Sequence, residues 1–299
     1  MAALTYLQMQ QHLAALTGLS GTDATTRYKL YLNLSGRRIW SMFSWPERRA
    51  QEDIILLAPY VTGTATLTNA SAAVTGQSTV WTSSHTGFKI ALGYGSPFYR
   101  FTQTAGTTGT ITPSAGYQQT TSTAGAYVLY QDEYNLAAAC AVTEDLELDY
   151  NGWQGRINLV PARMLDGAAY VAPWSGIPTT ACETVPTTAG TKRIRVYPIP
   201  DQNYVLHHRY LKTYTDLSDD SGVTALNLNL EGLLLDGALM YAQQYAGRDP
   251  FMSEAVFEAK VRQAWIQQME VEPIVTFRRT FDSSIGADSR ILDLRNIAT

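Results

Sequence analysis

Arg193-Ile194-Arg195-Val196-Tyr197-Pro198-Ile199-Pro200-Asp201-Gln202-Asn203-Tyr204-Val205-Leu206-His207-His208-Arg209-Tyr210-Leu211-Lys212-Thr213-Tyr214 is the stretch whose reading decides the fold. Ile194 and Val196 alternate with Arg193 and Arg195. Tyr204, Leu206, His208 and Tyr210 alternate with Val205, His207, Arg209 and Leu211. Period-2 alternation in β-branched and aromatic residues predicts strands. Between the arms each proline fixes φ and removes a donor, so neither belongs in a central ladder. Asp201 and Asn203 have turn chemistry. The expectation is a β-hairpin, followed by an acidic loop from Asp216 to Gly222 and then a helical region.

Working outward from that hairpin, helices are expected near residues 4–17, 23–44, 231–246 and 251–269. Thr5 with Gln8 fits a capping box, and Gly18 a stop. Leu4, Leu7, Gln10, Gln11, Leu13, Ala14 and Leu16 give a partial helical face. Asp23 is a candidate N-cap for the second helix, whose buried face is Tyr28, Tyr31, Leu32, Ile39, Met42 and Phe43. Pro46 ends it. Trp40, Phe43 and Trp45 fit an aromatic contact site or helix core, and core is favoured because aromatics are mostly buried. Leu230, Leu233, Leu234, Gly237, Ala238, Tyr241 and Tyr245 form the apolar face of a third helix, stopped by Gly247. Asp249-Pro250 opens a fourth in cap-then-N1 order.

Gln51 to Ala58 reads as a strand, and Val61 to Gln131 as a Thr-rich antiparallel β-unit punctuated by Gly93, Gly95, Gly106, Gly116 and Gly125. Leu136–Val142 is ambiguous between strand and helix. Leu146 to Tyr150 alternates, a short helix is expected at Ala162–Leu165, and Ala172–Gly190 reads as a long surface connection. The fold class expected is α+β: a helical bundle formed by both chain ends, with an inserted antiparallel β-domain and an extended C-terminal arm. The corresponding segments are 1–60, 61–202, 203–271 and 272–299.

The chain has 299 residues, room for one large domain or two. Charged residues make up 16%, below the usual ~25%, and Thr, Ser, Ala and Gly replace them. A net charge of −4 argues against clamping DNA phosphates, which takes clustered Lys and Arg. It leaves room for a channel through which DNA slides. Two cysteines, Cys140 and Cys182, make no disulfide framework, so a reduced cytosolic setting is expected. No signal peptide is read at the N-terminus, and no apolar run approaches the ~20 residues of a membrane span.

Catalytic and metal chemistry is not signalled. His207 and His208 are adjacent on a strand and face opposite ways, and neither stands at zinc-finger spacing from a cysteine. There is no phosphate-binding glycine loop, and Gly93-Tyr94-Gly95-Ser96-Pro97 lacks the last glycine of a nucleophile elbow. Glu144, Asp145, Glu147 and Asp149 offer paired carboxylates for glycoside hydrolysis, against a charged strand edge that resists aggregation; the edge is favoured. Asp216, Asp219 and Asp220 lack the EF-hand order. No enzymatic activity, cofactor or metal is expected.

The order of a Tyr-Pro-x-Pro-Asp turn, a Tyr-rich strand, an acidic loop and a small-residue helix resembles the head–tail adaptor (head-completion or connector) proteins of tailed bacteriophages. The resemblance runs from about Arg193 to Met269, with a weaker echo in the first sixty residues. It implies a virion structural protein at the head–tail junction, made in the host cytoplasm, that forms a homo-oligomeric ring, a dodecamer by resemblance. Its implied partners are the portal protein, tail or nozzle proteins, and DNA that passes through without specific binding; no membrane is involved. The Thr/Gly-rich unit at about 61–130 is an enlargement over minimal adaptors, with fibre or tail-component attachment as its expected role. The alternative is a carbohydrate-binding or adhesin-like β-rich protein, for which six Trp and 18 Tyr would supply stacking platforms.

Residues Glu272–Thr299 are expected to be a docking arm. Phe277, Arg278, Arg279, Phe281, Arg290, Leu292, Leu294, Arg295 and Ile297 are its candidate portal-docking residues, because apolar anchors interleaved with Arg are enriched at interfaces. Ile274-Val275-Thr276-Phe277 is suited to adding a strand to a neighbour's sheet edge.

Overall fold

The computed structural model describes residues 3–18, 21–93, 97–150, 153–165, 175–186, 190–226 and 230–271. Two helices come first, α1 (Tyr6–Thr17) and α2 (Thr22–Met42). Strands β1 (Arg49–Leu56), β2 (Thr64–Leu67), β3 (Ala73–Gln77), β4 (Lys89–Ala91), β5 (Tyr99–Ala105) and β6 (Thr108–Thr112) follow. Next come β7 (Ser122–Gly125), β8 (Val128–Tyr130), β9 (Glu133–Asn135), β10 (Cys140–Tyr150), β11 (Trp153–Arg156) and β12 (Asn158–Leu159). The last strands are β13 (Ser175–Gly176), β14 (Thr180–Thr184), β15 (Arg193–Tyr197), β16 (Ile199–Pro200) and β17 (Tyr204–Lys212). Helices α3 (Glu231–Tyr245) and α4 (Glu254–Val271) close the described chain.

The molecule is mainly β-sheet, with seventeen strands among the described residues. This corrects the expected α+β architecture of a helical bundle with an inserted β-domain. Sheet order β7-β2-β3-β6-β5-β4-β8 makes a seven-stranded antiparallel half-barrel. Its curl follows from connectivity. β7 and β8 lie on opposite edges, yet only Ala126 and Tyr127 separate them, so the edges must come close. Tyr60 bridges Leu129 on β8, with two backbone hydrogen bonds of 2.8 and 2.9 Å. Inside sit Trp81, Phe101, Tyr127, Leu67 and Ile90.

Two four-stranded sheets, β1-β17-β10-β11 and β12-β14-β15-β9, face each other over a second core that includes Leu56, Leu146, Leu148, Ile194, Val196 and Leu206. The expected hairpin is therefore corrected. Its arms, β15 and β17, have the expected faces, with Ile194, Val196, Tyr204, Leu206, His208 and Tyr210 buried. They do not pair with each other: β15 pairs with β14 and β9, and β17 with β1 and β10. The proline segment is a crossing between sheets, and its Ile199-Pro200 pairs in parallel with Ser175-Gly176. The expected surface connection at Ala172–Gly190 also contains a strand: in β14, Ala181 and Cys182 are fully buried. Small residues gave it no apolar signal.

Helices α1 to α4 share a third core, built on Tyr6, Leu13, Leu32, Ile39, Leu234 and Phe257, while the expected short helix at 162–165 stands apart from it. The Thr5–Gln8 capping box and the Gly18 stop (φ +69°) bound α1, but the buried face is Tyr6, Met9, Gln10 and Leu13, leaving Leu7 and Leu16 exposed. Gly21, not Asp23, stands at the start of α2; Asp23 lies in the first turn, where a carboxylate complements the helix dipole. Trp40 and Trp45 are buried, and Phe43 stacks on Trp265 with ring centroids 4.8 Å apart. The fourth helix starts at Glu254 and not at Pro250, because Met252 turns into the core first. Tyr245, expected inside, is 71% exposed.

Candidate assembly surface and the polar clusters behind it

β17 delivers His207 and His208 to opposite faces of its sheet. The register places Glu52 and Leu146 beside His208, and Asp53 and Glu147 beside His207. His208 is fully buried; its Nδ1 is 2.8 Å from Glu52 Oε1 and its Nε2 3.2 Å from Thr143 Oγ1. Cys140 Sγ lies 4.0 Å from the same Nε2. Sequence spacing could not find this cluster, since 68 residues separate Cys140 from His208 and only the β10–β17 ladder unites them. A thiol, an imidazole and a carboxylate in line are the parts of a nucleophilic triad. Here burial pushes the Cys140 thiol up, which is the opposite of an activated thiolate. The nearer Thr143 hydroxyl occupies the imidazole. The cluster is a buried polar clip joining β1, β17 and β10.

The outer face of the same sheet is a ladder of opposite charges. His207 Nδ1 is 2.6 Å from Asp53 Oδ1, and this hydrogen bond holds the Asp53 carboxyl below the usual carboxylate range. Arg209 reaches Glu147 at 3.2 Å, Arg156 reaches Asp145 at 2.8 Å and Arg49 reaches Glu144 at 3.7 Å. The acidic run is a strand edge only in part: β11 flanks β10 from Glu147 to Tyr150, so Glu147 and Asp149 are interior to the sheet, while Glu144 and Asp145 lie beyond that pairing. Each of those three carboxylates has a cationic neighbour, and Asp149 Oδ2 stands 3.9 Å from His207 Nε2.

A second polar cluster joins the half-barrel to the sandwich. Lys89 on β4 is buried and pairs with Asp132 at 2.7 Å and Glu133 at 3.3 Å. Glu133 also receives Arg100 at 2.8 Å and Arg193 at 2.7 Å. Burial opposes ionisation of Glu133, but Lys89, Arg100 and Arg193 together hold its carboxyl below the usual range. The acidic loop is spoken for as well. Asp216 pairs with Arg37, Asp220 with Lys29 at 2.8 Å, and Asp219 accepts from the Ser221 amide at 3.0 Å. Among the described residues no group of three His, Cys, Asp or Glu side chains is placed to hold a metal, and no helix is long and apolar enough to cross a membrane.

Large apolar side chains remain outside on the last two helices. Tyr245 (71% exposed), Phe251 (52%) and Val256 (50%) flank the α3–α4 corner, and Ile266 (44%) follows on α4. Ala255, Ala259, Arg262 and Ile266 line a shallow open groove on α4. The candidate docking residues Phe277, Arg278, Arg279, Phe281, Arg290, Leu292, Leu294, Arg295 and Ile297 lie outside the described residues. Among the tryptophans, Trp40, Trp45 and Trp81 are buried and Trp265 packs on the helical core, so none of these four is a sugar-stacking platform. In comparisons with known proteins, the chain matches no family model and no curated protein.

Proposed function

We propose that this chain is a virion structural protein: a head–tail adaptor of a tailed bacteriophage, assembling as a homo-oligomeric ring between portal and tail, with DNA passing through. The observation that carries the proposal is the exposure of Tyr245, Phe251, Val256 and Ile266 at the end of the folded body. These residues lie on or between the helices that lead directly into the Arg- and apolar-rich arm Glu272–Thr299. Apolar anchors interleaved with Arg are the residue types enriched at interfaces, and a folded body continuing into a charged, apolar arm is suited to bridging subunits. The paired carboxylates and the buried, unactivated thiol point away from catalysis. Glu147→Gln and Asp149→Asn should leave assembly intact.

Size-exclusion chromatography with light scattering, with and without portal protein, tests the reading. An assembly many times the 32.9 kDa chain is expected, formed at least when portal is present. Truncation after Val271 should leave a folded monomer that no longer joins portal-bearing capsids. A chain that stays monomeric with portal at every concentration overturns the proposal.

A further inference from the structure

β1 is the open edge of its sheet. Among the described residues it pairs with β17 alone, over all eight positions from Arg49 to Leu56 and without a bulge. Ile54 is only partly buried against the sandwich core, and Ile55 is 61% exposed. An edge of this length presents a row of unpaired backbone groups and is a template for another strand. Two copies of β1 do not suit each other. The symmetric antiparallel pairing that uses all eight residues sets Glu52 against Asp53, and like charges directly opposite are destabilising.

We propose that the edge of β1 takes the segment Val275–Asp282 of a second copy of this chain as an antiparallel strand. This deepens the assembly reading and rests on it. One register matches every charge. Arg49 meets Asp282, Glu52 meets Arg279 and Asp53 meets Arg278, while Ile54 meets Phe277 and Leu56 meets Val275. The faces agree too. Val275, Phe277, Arg279 and Phe281 fall on the side of Ala50, Glu52, Ile54 and Leu56, toward the core, with Arg279 on Glu52. Thr276, Arg278, Thr280 and Asp282 fall on the solvent side with Gln51, Asp53 and Ile55. Sliding by one residue either way keeps a single charge pair and sets Phe277 against Asp53 or Arg278 against Ile54. A parallel strand with the arginines on Glu52 and Asp53 turns Val275, Phe277 and Phe281 outward.

Reach assigns the strand to a second copy. Gln268 near the end of α4 hydrogen-bonds Glu47 at 2.9 Å, beside the Arg49 end of β1. The register puts Val275 at the far end, about 23 Å along the strand. The four residues after Val271 span at most about 14 Å. Measured from the Arg49 end, those four residues cover about 14 of the roughly 23 Å, which favours a neighbour's arm, free of that limit. The rest of the arm, from Ser283 to Thr299, is then left for the portal.

The test uses full-length chains carrying one added cysteine each, Ile55→Cys in one and Thr276→Cys in the other. The native Cys140 and Cys182 are buried and do not compete. Mixed under mild oxidation in assembly conditions, the two proteins should form a disulfide-linked pair of twice the chain mass. Thr280→Cys, four residues out of register, should link far more slowly, and Arg278→Glu should slow the correct link about tenfold. Removing residues 283–299 should keep the link while losing portal. Three results overturn the strand pairing: no mixed link while the assembly forms, equal linking at Thr280, or a link formed only within one chain that carries both changes. Arm-dependent attachment to capsids would survive those results, so failure of the pairing and failure of the adaptor reading can be told apart.

Discussion

Lys89 is the side chain on which the junction between half-barrel and sandwich turns. Its ammonium is buried between Asp132 and Glu133. Lys89→Met leaves Arg195 beside Asp132 at 3.5 Å and Arg100 and Arg193 on Glu133, so it should cost less than the ~3–5 kcal/mol of a buried charge left alone, read as a lower midpoint in urea. The same cluster sets a pH dependence. The Glu133 carboxyl is held below its ordinary value in the folded state. Its stabilisation is therefore complete above the ordinary glutamate pKa and is lost as pH falls through the lowered folded value. Acid unfolding of the parent should be displaced to higher pH in Arg193→Gln, which withdraws one of the cations. At the alkaline end Tyr127 works in the opposite sense. Burial pushes its phenol up to about 12, so the stability it contributes is full below pH ~10 and fades as pH rises through the folded value. A phenolate absorbance titration should show a late fraction that appears only with unfolding; release of all tyrosines together near pH ~10 would contradict it.

Among the elements, the contact between α2, α3 and α4 depends on small residues. A Cβ on Gly237 would overlap the Ser35 hydroxyl and meet the Phe257 ring at 2.8 Å. Both neighbours are buried, with Ser35 and Phe257 at 0% exposure, so neither can give way freely. Gly237→Ala gains helix propensity but should still destabilise by about 1–3 kcal/mol through overpacking, measured by thermal or urea unfolding. The β1–β17–β10 clip is the corresponding feature of the sheet. His208→Leu leaves Glu52 without its imidazole partner and should cost about 1–3 kcal/mol. Adding Glu52→Leu should recover part of that loss, because removing both partners is cheaper than stranding one. A double-mutant cycle with no coupling would remove the clip from the account of the fold.

Over the whole molecule, charge is spent internally. Arg37, Lys29, Arg49, Arg156, Arg209, Lys89 and Arg193 all face carboxylates, and the net charge is −4. With that net charge and these pairings, the isolated chain should bind duplex DNA weakly at physiological salt, with a shallow salt dependence. Tight, steeply salt-sensitive binding in a filter or anisotropy assay would contradict a channel through which DNA slides.

The sequence by itself determined local matters: where α1 and α2 begin and end to within a few residues, which side of β15 and β17 turns inward, and that His207 and His208 part company. These follow from short-range periodicity and capping, which are written in neighbouring residues. It also carries the charge pattern of Val275–Asp282, legible once an edge is known to receive it. Tertiary packing alone settled that the two arms around Pro198 join different sheets, that β10 is flanked on both sides from Glu147 to Asp149, and that Cys140 meets His208. It alone showed that the molecule is mainly β-sheet. Strand partners are chosen across tens to hundreds of residues by packing and by the need to pair every buried backbone group. Many of the strands here are two to five residues long and rich in Thr, Gly and Ala, so their alternation is faint. The helices, longer and apolar on one face, dominated the sequence signal although they are the smaller part of the fold.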